Sequence, residues 1–341
     1  MQFKRIIGAA ALAFTALAVA LPAQAADYKS EYKLSTVVGS AFPWGQGADI
    51  WADLVRQRTD GRINIKVYPG VSLVQGDQTR EFTAIRQGVI DMAIGSTINW
   101  SPQVKELNLF SLPFLMPDYP AFDALVHGKV GEQIFDILTQ KGVVPLAWGE
   151  NGYRQLSNST REVKTPEDVK GMKLRVVGSP LYIDVYTALG ANPTQMSWAD
   201  AQPALASGAV DGQENPLSIY AGAKLYDVGQ KYLSLWNYVN DPLVFVVNQD
   251  VWKSWTPEDQ KIVREAAIEA GRQEIAIARK GVTNTDDSLL KEIESHGVTV
   301  TTLSPEQIAA FAKATQPVFD KWAKQIGPDL VKQAQADIAK R

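Results

Sequence analysis

The 341-residue sequence contains no cysteine and only two histidines, His127 and His296. Without cysteine the chain can form no disulfide, no thiolate metal site and no thiol nucleophile. Two histidines provide little material for a zinc cluster or for a Ser-His-Asp triad. We therefore expect no catalytic residue, no bound metal and no cofactor.

Other features of enzymes and nucleic-acid-binding proteins are also missing. The formal net charge is −3, which gives no reason to expect a nucleic-acid partner. The segment GQGADI at 45–50 lacks the third glycine of a dinucleotide-binding fingerprint, and the chain has neither a P-loop nor a G-x-S-x-G elbow. Paired acids such as Asp49 and Asp53 are typical of a solvated helix face, with a glycosidase pair as the alternative.

Long apolar runs are absent beyond the first 25 residues. The chain starts with MQFKR, continues with an apolar run of about 16 residues, and then reads AQA at 23–25. That run is shorter than the roughly 20 residues of a membrane span, and the pattern is typical of a secretory signal peptide. We assign residues 1–25 to a signal peptide, with a retained membrane anchor as the alternative. The mature chain is expected to begin near Ala26 and to be exported and soluble.

Helix and strand periods alternate along the rest of the chain. In RINIKVYPG, apolar and polar residues alternate with the period-two pattern of a strand. A helical stretch at 77–87 and the short strand VIDMAIG follow, which predicts a β-α-β unit and a parallel sheet. The strand VVPLAW then leads through an expected turn, GENGYR, into a second α/β region. A long helical stretch covers about 256–295, with expected interruptions at Gly271 and Gly281.

The second α/β region contains three consecutive strand-to-helix junctions. The strand MKLRVV precedes a helix that opens at Ser179-Pro180, and the strand PTQM precedes a helix that opens at Ser197. The third strand, AVDGQ, precedes a helix with Asn215 as its N-cap. Each junction carries a distinctive side chain.

These three side chains are Arg175, Trp198 and Asn215. In an open parallel sheet, such junctions share the carboxyl edge, where ligands bind. If the strands are neighbours, the three residues should therefore lie together. Trp198 is either a core residue or a wall of the resulting cleft.

Arg175 raises the question of its counter-ion. A buried arginine usually has an anionic partner, because a stranded charge costs about 3–5 kcal/mol. One interpretation is an internal salt bridge to Asp184 or Asp200. The other starts from Arg154 in ENGYR, which would place a second cation near the same crevice. Two guanidinium groups without internal counter-ions suit a carboxylate that arrives from outside.

Three segments resemble a known family. GMKLRV, PTQMSWADAQPALASGAVDGQENP and WGENGYRQLSNS are similar to segments of the solute receptors of TRAP (tripartite ATP-independent periplasmic) transporters. The likeness covers essentially all of the mature chain. It implies an α/β, two-lobed periplasmic-binding-protein fold, in which helices flank a mainly parallel sheet in each lobe and a long helix spans both. The expected first lobe is 26–151 plus about 239–280, and the second is 152–238 plus about 281–341.

The resemblance also implies a set of ligand-binding residues. Arg175 matches the family's principal carboxylate anchor, Arg154 an assisting arginine, and Asn215 and Trp198 further pocket residues. First-lobe residues match positions of contact with the rest of the ligand less closely; they are Phe42 and Trp44 in the loop from residue 40 to 44, Gln78, Ser96 and Asn99.

What the resemblance implies for function is a periplasmic receptor that captures a small organic acid and delivers it to a membrane permease. The possible ligands are C4-dicarboxylates, sugar acids, and aromatic or 2-oxo acids. Trp198 with Ser96 and Asn99 favours a sugar acid or an aromatic acid. The alternatives are an exported hydrolase or lyase that uses carboxylates, or a receptor that signals to a sensor kinase. We expect a monomer.

Overall fold

The computed structural model describes residues 28–341, so the predicted signal peptide at 1–25 lies outside the described part of the chain. The strands are β1 Tyr32–Ser35, β2 Ile65–Tyr68, β3 Met92–Ser96, β4 Val143–Asn158, β5 Lys173–Val176, β6 Asn192–Gln195, β7 Gly212–Pro216, β8 Tyr232–Leu235, β9 Asn240–Asn248 and β10 Thr299–Thr302. The helices are α1 Pro43–Arg58, α2 Glu81–Arg86, α3 Thr97–Trp100, α4 Tyr119–Val126, α5 Lys129–Gln140, α6 Pro180–Ala188, α7 Trp198–Ala206, α8 Leu217–Gly222, α9 Gln249–Ser254, α10 Pro257–Ala278, α11 Ser288–Ser295, α12 Pro305–Ile326 and α13 Pro328–Ile338. None of the helices in this part of the chain is long and apolar enough to cross a membrane.

The strands form two parallel groups joined by antiparallel strands. The order is β2-β1-β3-β9-β4-β7-β5-β6, and β8 pairs with β4 and with β10. Strands β1, β2 and β3 pair in parallel in one group, as do β5, β6 and β7 in the other. Strand β4 joins the groups, because its first part pairs with β9 and its last part pairs with β7 and β8. The two-lobed α/β fold is thereby confirmed.

The turn predicted at GENGYR is wrong. Strand β4 continues through this segment, with register irregularities between Pro145 and Ala147 and between Glu150 and Gly152. Gly152 has a φ of 116°, which a side chain with a Cβ atom rarely adopts. The chain therefore bends without leaving the sheet, because antiparallel partners continue to satisfy its backbone on both sides of the bulge.

The prediction that three strand-to-helix junctions lie at one edge requires the three strands to be parallel neighbours, and they are. Strand β5 lies between β7 and β6, and all three run parallel. The start of the third helix is displaced by one residue, however. Asn215 is the fourth residue of β7, and Pro216, not Asn215, takes the N-cap position of α8. Pairing with β4 extends β7 to residue 216 and so overrides the local helix signal.

The long helical stretch predicted at 256–295 is divided once. Helix α10 runs through Gly271 without interruption, and it packs on α1 and β4. A Cβ atom at Gly271 would lie 2.4 Å from the carbonyl oxygen of Trp148, so this glycine permits close packing on β4. Gly281, with a φ of 77°, lies in the connection between α10 and α11. The last helix, α13, packs on α4 and α5.

The first residue of α2, Glu81, carries a buried carboxyl group that has no cationic partner among residues 28–341. Glu81 accepts a hydrogen bond of 2.6 Å from the Ser35 hydroxyl and one of 3.0 Å from the indole N–H of Trp100. No Lys, Arg or His in the described part of the chain lies within 4 Å of it. Burial raises the pKa of Glu81 to about 7, although both hydrogen bonds act in the opposite direction.

We expect Glu81 to make the protein less stable as pH rises from about 4.5 to about 7. The native state holds the proton more tightly than the unfolded chain. The unfolding free energy therefore falls across this pH range, by about 3 kcal/mol in all. Glu81→Gln should flatten the decrease in the unfolding free energy between pH 5 and pH 8, as measured by urea denaturation. Glu294→Gln, at an exposed position of α11, is the matched control. An equal pH dependence in wild type and Glu81→Gln would contradict the assignment.

Candidate site for an organic acid

Arg175 lies near the carboxyl end of β5 with its side chain buried. Its Nε and Nη2 atoms donate hydrogen bonds of 3.1 and 2.9 Å to the carbonyl oxygen of Met196. Within residues 28–341, Arg175 has no carboxylate oxygen within 4 Å, and its Nη1 atom makes no hydrogen bond to the protein. The alternative of an internal salt bridge to Asp184 or Asp200 is therefore wrong.

The two proposed partner acids are occupied elsewhere. Asp184 accepts hydrogen bonds from the Lys321 ammonium and the Trp322 indole, and Asp200 interacts with Ser197 at the start of α7. Burial lowers the pKa of Arg175 to about 10, with Glu214 acting to raise it and Arg154 to lower it. At neutral pH the guanidinium group is still a cation, and it needs an anion.

Arg154 has an internal counter-ion, contrary to the prediction. Its Nε atom donates to Oε2 of Glu214, and its Nη2 atom donates 2.8 Å hydrogen bonds to Oε1 and to the backbone carbonyl of the same residue. Its Nη1 atom lies 3.3 Å from Oδ2 of Asp241. The antiparallel register of β4 and β7 explains this pairing, because it places Arg154 opposite Pro216 and thus diagonally next to Glu214.

Trp198 connects the anchor to the other lobe. It is the first residue of α7, and its ring centroid lies 5.8 Å from the guanidinium carbon of Arg175, within range of a cation–π interaction. Its backbone N–H donates a 3.0 Å hydrogen bond to Oε1 of Gln78. The Nε2 atom of Gln78 donates in turn to Oδ1 of Asn99 at 2.7 Å. The lobes therefore meet directly beside Arg175.

These groups surround a small cavity of about 30 Å³. Seven of the nine predicted site residues line it: Trp44, Gln78, Asn99, Arg154, Arg175, Trp198 and Asn215. The other two lie outside. Ser96 caps α3 and donates a 2.6 Å hydrogen bond to Asp241, and Phe42 packs against Gly222 on α8.

Several residues that line the cavity were not predicted. They are the apolar residues Val37, Val38, Val177 and Ile219, and the polar residues Asn151 and Asp241. The sequence contains a signal for the last of these, because Asp241 precedes the apolar run PLVFVV of a wholly buried strand. The apolar residues carry no such signal, since valine and isoleucine are equally common in a core.

A second cavity is larger but has no cation. It has a volume of about 400 Å³ and lies against the β4 bulge, with Tyr119, Asn237 and Thr283 among its lining residues. It shares Asn151 with the small cavity. Because no Lys, Arg or His in the described part of the chain lines it, it offers no charge to neutralise an acid. We therefore assign the site to the small cavity.

Fold and site together define a class of protein. Two α/β lobes meet around a buried guanidinium group that lacks an internal counter-ion, and polar groups of both lobes line the space beside it. This arrangement is that of a two-lobed binding protein that closes around a carboxylate.

Comparison with known proteins identifies the family. The model of the family "Bacterial extracellular solute-binding protein, family 7" matches residues 34–325, and the chain belongs to this family. One similar structure is a TRAP periplasmic solute-binding protein from Ralstonia eutropha, solved with bound (S)-2-hydroxy-2-methyl-3-oxobutanoate. Its sequence is 70% identical to this chain and its TM-score is 0.91. The match covers 92% of this chain and 100% of the other. The 2,3-diketo-L-gulonate-binding periplasmic protein of Escherichia coli is 33% identical over 82% of this chain and 84% of its own. The C4-dicarboxylate-binding periplasmic protein of Rhodobacter capsulatus is 29% identical over 99% of this chain and all of its own. The predicted function, a TRAP solute receptor for a small organic acid, is confirmed.

The two buried arginines should differ in how much stability the protein loses when each is replaced by methionine. Arg154→Met leaves Glu214 and Asp241 buried without their cation, so we expect it to lower the unfolding free energy by about 3–5 kcal/mol. Arg175→Met removes a charge that no internal anion compensates, so we expect a loss of no more than about 1 kcal/mol. Urea denaturation without added acid measures both variants. Equal losses for the two variants would show that Arg175 has a stabilising partner of its own.

Proposed function

We propose that this receptor binds a small, branched 2-hydroxy or 2-oxo monocarboxylate and delivers it to the membrane permease of a TRAP transporter. The observation that carries the proposal is the guanidinium group of Arg175, which has no counter-ion among residues 28–341 and lies beside a small and partly apolar cavity. The 70% identity to a protein solved with bound (S)-2-hydroxy-2-methyl-3-oxobutanoate supports the same class of ligand.

Charge limits the ligand to one carboxylate. In the described part of the chain, the buried charges around the cavity are two cations and two carboxylates, but Arg154 is in contact with both Glu214 and Asp241. A ligand carboxylate can pair with Arg175. A second one would be buried near Glu214 and Asp241 with no free cation, at a cost of several kcal/mol. The geometry therefore favours a monocarboxylate over a C4-dicarboxylate.

The surface of the cavity limits the rest of the ligand. A volume of about 30 Å³ has room for roughly two or three water molecules, less than any of the candidate acids needs, so the lobes must move apart to admit one. Val37, Val38, Val177 and Ile219 provide apolar contacts for a methyl or ethyl branch. This apolar lining favours a branched aliphatic acid over the hydroxyl-rich sugar acids that the sequence favoured.

Binding and lobe closure would be coupled at Trp198. The hydrogen bond from Trp198 to Gln78 joins the two lobes, and it would break if they moved apart. A carboxylate on Arg175 removes the cost of burying that cation, so ligand binding shifts the equilibrium towards the closed form. The closed receptor is then the form that the permease recognises.

The remaining features of the proposed receptor follow from its sequence. We infer export to the periplasm with removal of residues 1–25, a monomeric state and no enzymatic turnover. The proposed first lobe is 26–151 plus about 239–280, and the proposed second lobe is 152–238 plus about 281–341. Helix α13 of the second lobe packs on α4 and α5 of the first lobe.

A ligand panel tests the proposed class. We expect isothermal titration calorimetry to give low-micromolar or tighter binding for (S)-2-hydroxy-2-methyl-3-oxobutanoate, and at least about 100-fold weaker binding for succinate and galacturonate. NMR should show that the acids change no faster with the protein than in buffer alone. Tighter binding of succinate or galacturonate would overturn the proposed ligand class, and a product formed faster with the protein than without it would overturn the receptor function.

Arg175→Lys tests the anchor. Lysine keeps the charge but cannot bond both the Met196 carbonyl and a ligand carboxylate with the geometry of a guanidinium group. We expect the Kd for the best acid of the panel to rise by roughly 10- to 100-fold. Lys173→Gln, two residues earlier on β5 and exposed, is the control and should bind like wild type. Unchanged affinity in Arg175→Lys would contradict the anchor role.

A further inference from the structure

Asp241 is a buried carboxylate that faces the same cavity as the anchor. It is the second residue of β9, opposite Gly152 of the β4 bulge, and it lines the cavity. The Ser96 hydroxyl donates to its Oδ1 atom at 2.6 Å. The amide of Asn151 and Nη1 of Arg154 donate to its Oδ2 atom at 2.8 and 3.3 Å.

These contacts leave Asp241 with capacity to accept another hydrogen bond. A carboxylate has about four lone-pair positions, and the three protein donors use one on Oδ1 and two on Oδ2. The remaining position is on Oδ1. Burial raises the pKa of Asp241, and Arg154, Asn151 and Ser96 act to keep it ionised.

The other polar side chains of the cavity have less to offer a ligand hydroxyl. The Oε1 atom of Gln78 accepts from the Trp198 backbone, and the Oδ1 atom of Asn99 accepts from Gln78. Asn215 donates its amide to Gln213 at 2.5 Å and Asn151 donates its amide to Asp241, so the carbonyl oxygens of these two residues are further, neutral acceptors. An ionised acceptor forms a stronger hydrogen bond than any of these neutral ones.

We infer that Asp241 is a specificity residue that accepts a hydrogen bond from the 2-hydroxyl group of the ligand, while Arg175 binds its carboxylate. This inference rests on the proposed function and narrows its ligand class from 2-hydroxy or 2-oxo acids to 2-hydroxy acids. A 2-oxo acid presents only an acceptor at this position, so its carbonyl oxygen would face the carboxylate of Asp241. A hydroxyl group instead donates to it.

The neighbours of Asp241 determine how an amide would be oriented in the variant Asp241→Asn. Arg154 and the Asn151 amide can only donate, so the carbonyl oxygen of the new side chain would face them. Its NH₂ group would then face the Ser96 hydroxyl, which is able to accept, and the cavity. The substitution therefore replaces an acceptor in the cavity by a donor, and the preference between the two kinds of acid should invert.

Three acids that differ only at C2 test this inference: (S)-2-hydroxy-3-methylbutanoate, 3-methyl-2-oxobutanoate and 3-methylbutanoate. Calorimetry with the full mature chain should show wild type binding the hydroxy acid about 10- to 100-fold more tightly than the other two. Asp241→Asn should bind the oxo acid more tightly than the hydroxy acid. Its melting temperature, measured without ligand, checks that the variant is folded.

Asn215→Ala distinguishes Asp241 from a neutral acceptor of the cavity. It should weaken all three acids similarly and keep the preference for the hydroxy acid. If Asn215→Ala abolishes that preference while Asp241→Asn keeps it, Asn215 is the acceptor and the inference is overturned. Binding of all three acids with the same order in wild type and Asp241→Asn also overturns it, but leaves the proposed function intact. If wild type binds none of the three acids, the proposed ligand class and the inference fail together.

Discussion

Removing a guanidinium group from water costs several kcal/mol unless an anion replaces the lost hydration. Arg175 is buried with a carbonyl oxygen and an indole ring as its protein partners, both neutral. These contacts orient the group and satisfy two of its donors, but they do not compensate its charge. Arg175 therefore has no contacting anion among residues 28–341, and under the proposed function a small acid that supplied one would stabilise the two lobes in this arrangement.

The second arginine that lines this cavity, Arg154, has internal counter-ions. Arg154 lies on β4, the strand that both lobes share, and its contacts with Glu214 and Asp241 tie β4 to β7 and to β9. A group with this many internal partners holds the joint between the lobes in place. The two arginines thus divide their tasks, because Arg154 supports the site and Arg175 remains available for a ligand.

Much of this arrangement could be predicted from the sequence. The junction of β5 and α6 has local signals in its strand pattern and in Ser179-Pro180, and parallel topology then brings Arg175 and Trp198 together. The internal partner of Arg154 could not be predicted in this way. It depends on the register between β4 and β7, which are some 60 residues apart in the chain. The same pairing explains why β7 extends past Asn215, where the local pattern predicts the start of a helix.

The contact between the lobes also depends on the anchor's surroundings. Met196 supplies the carbonyl oxygen that orients Arg175, and only two residues later Trp198 supplies both the ring beside the guanidinium group and the N–H that bonds Gln78. An anion on Arg175 would lie near the first turn of α7, where the helix dipole favours negative charge. Neutralising the cation and joining the lobes therefore involve the same short segment, 196–198. Because these residues are adjacent in the chain, an anion that pairs with Arg175 would also stabilise the segment that forms the hydrogen bond between the lobes.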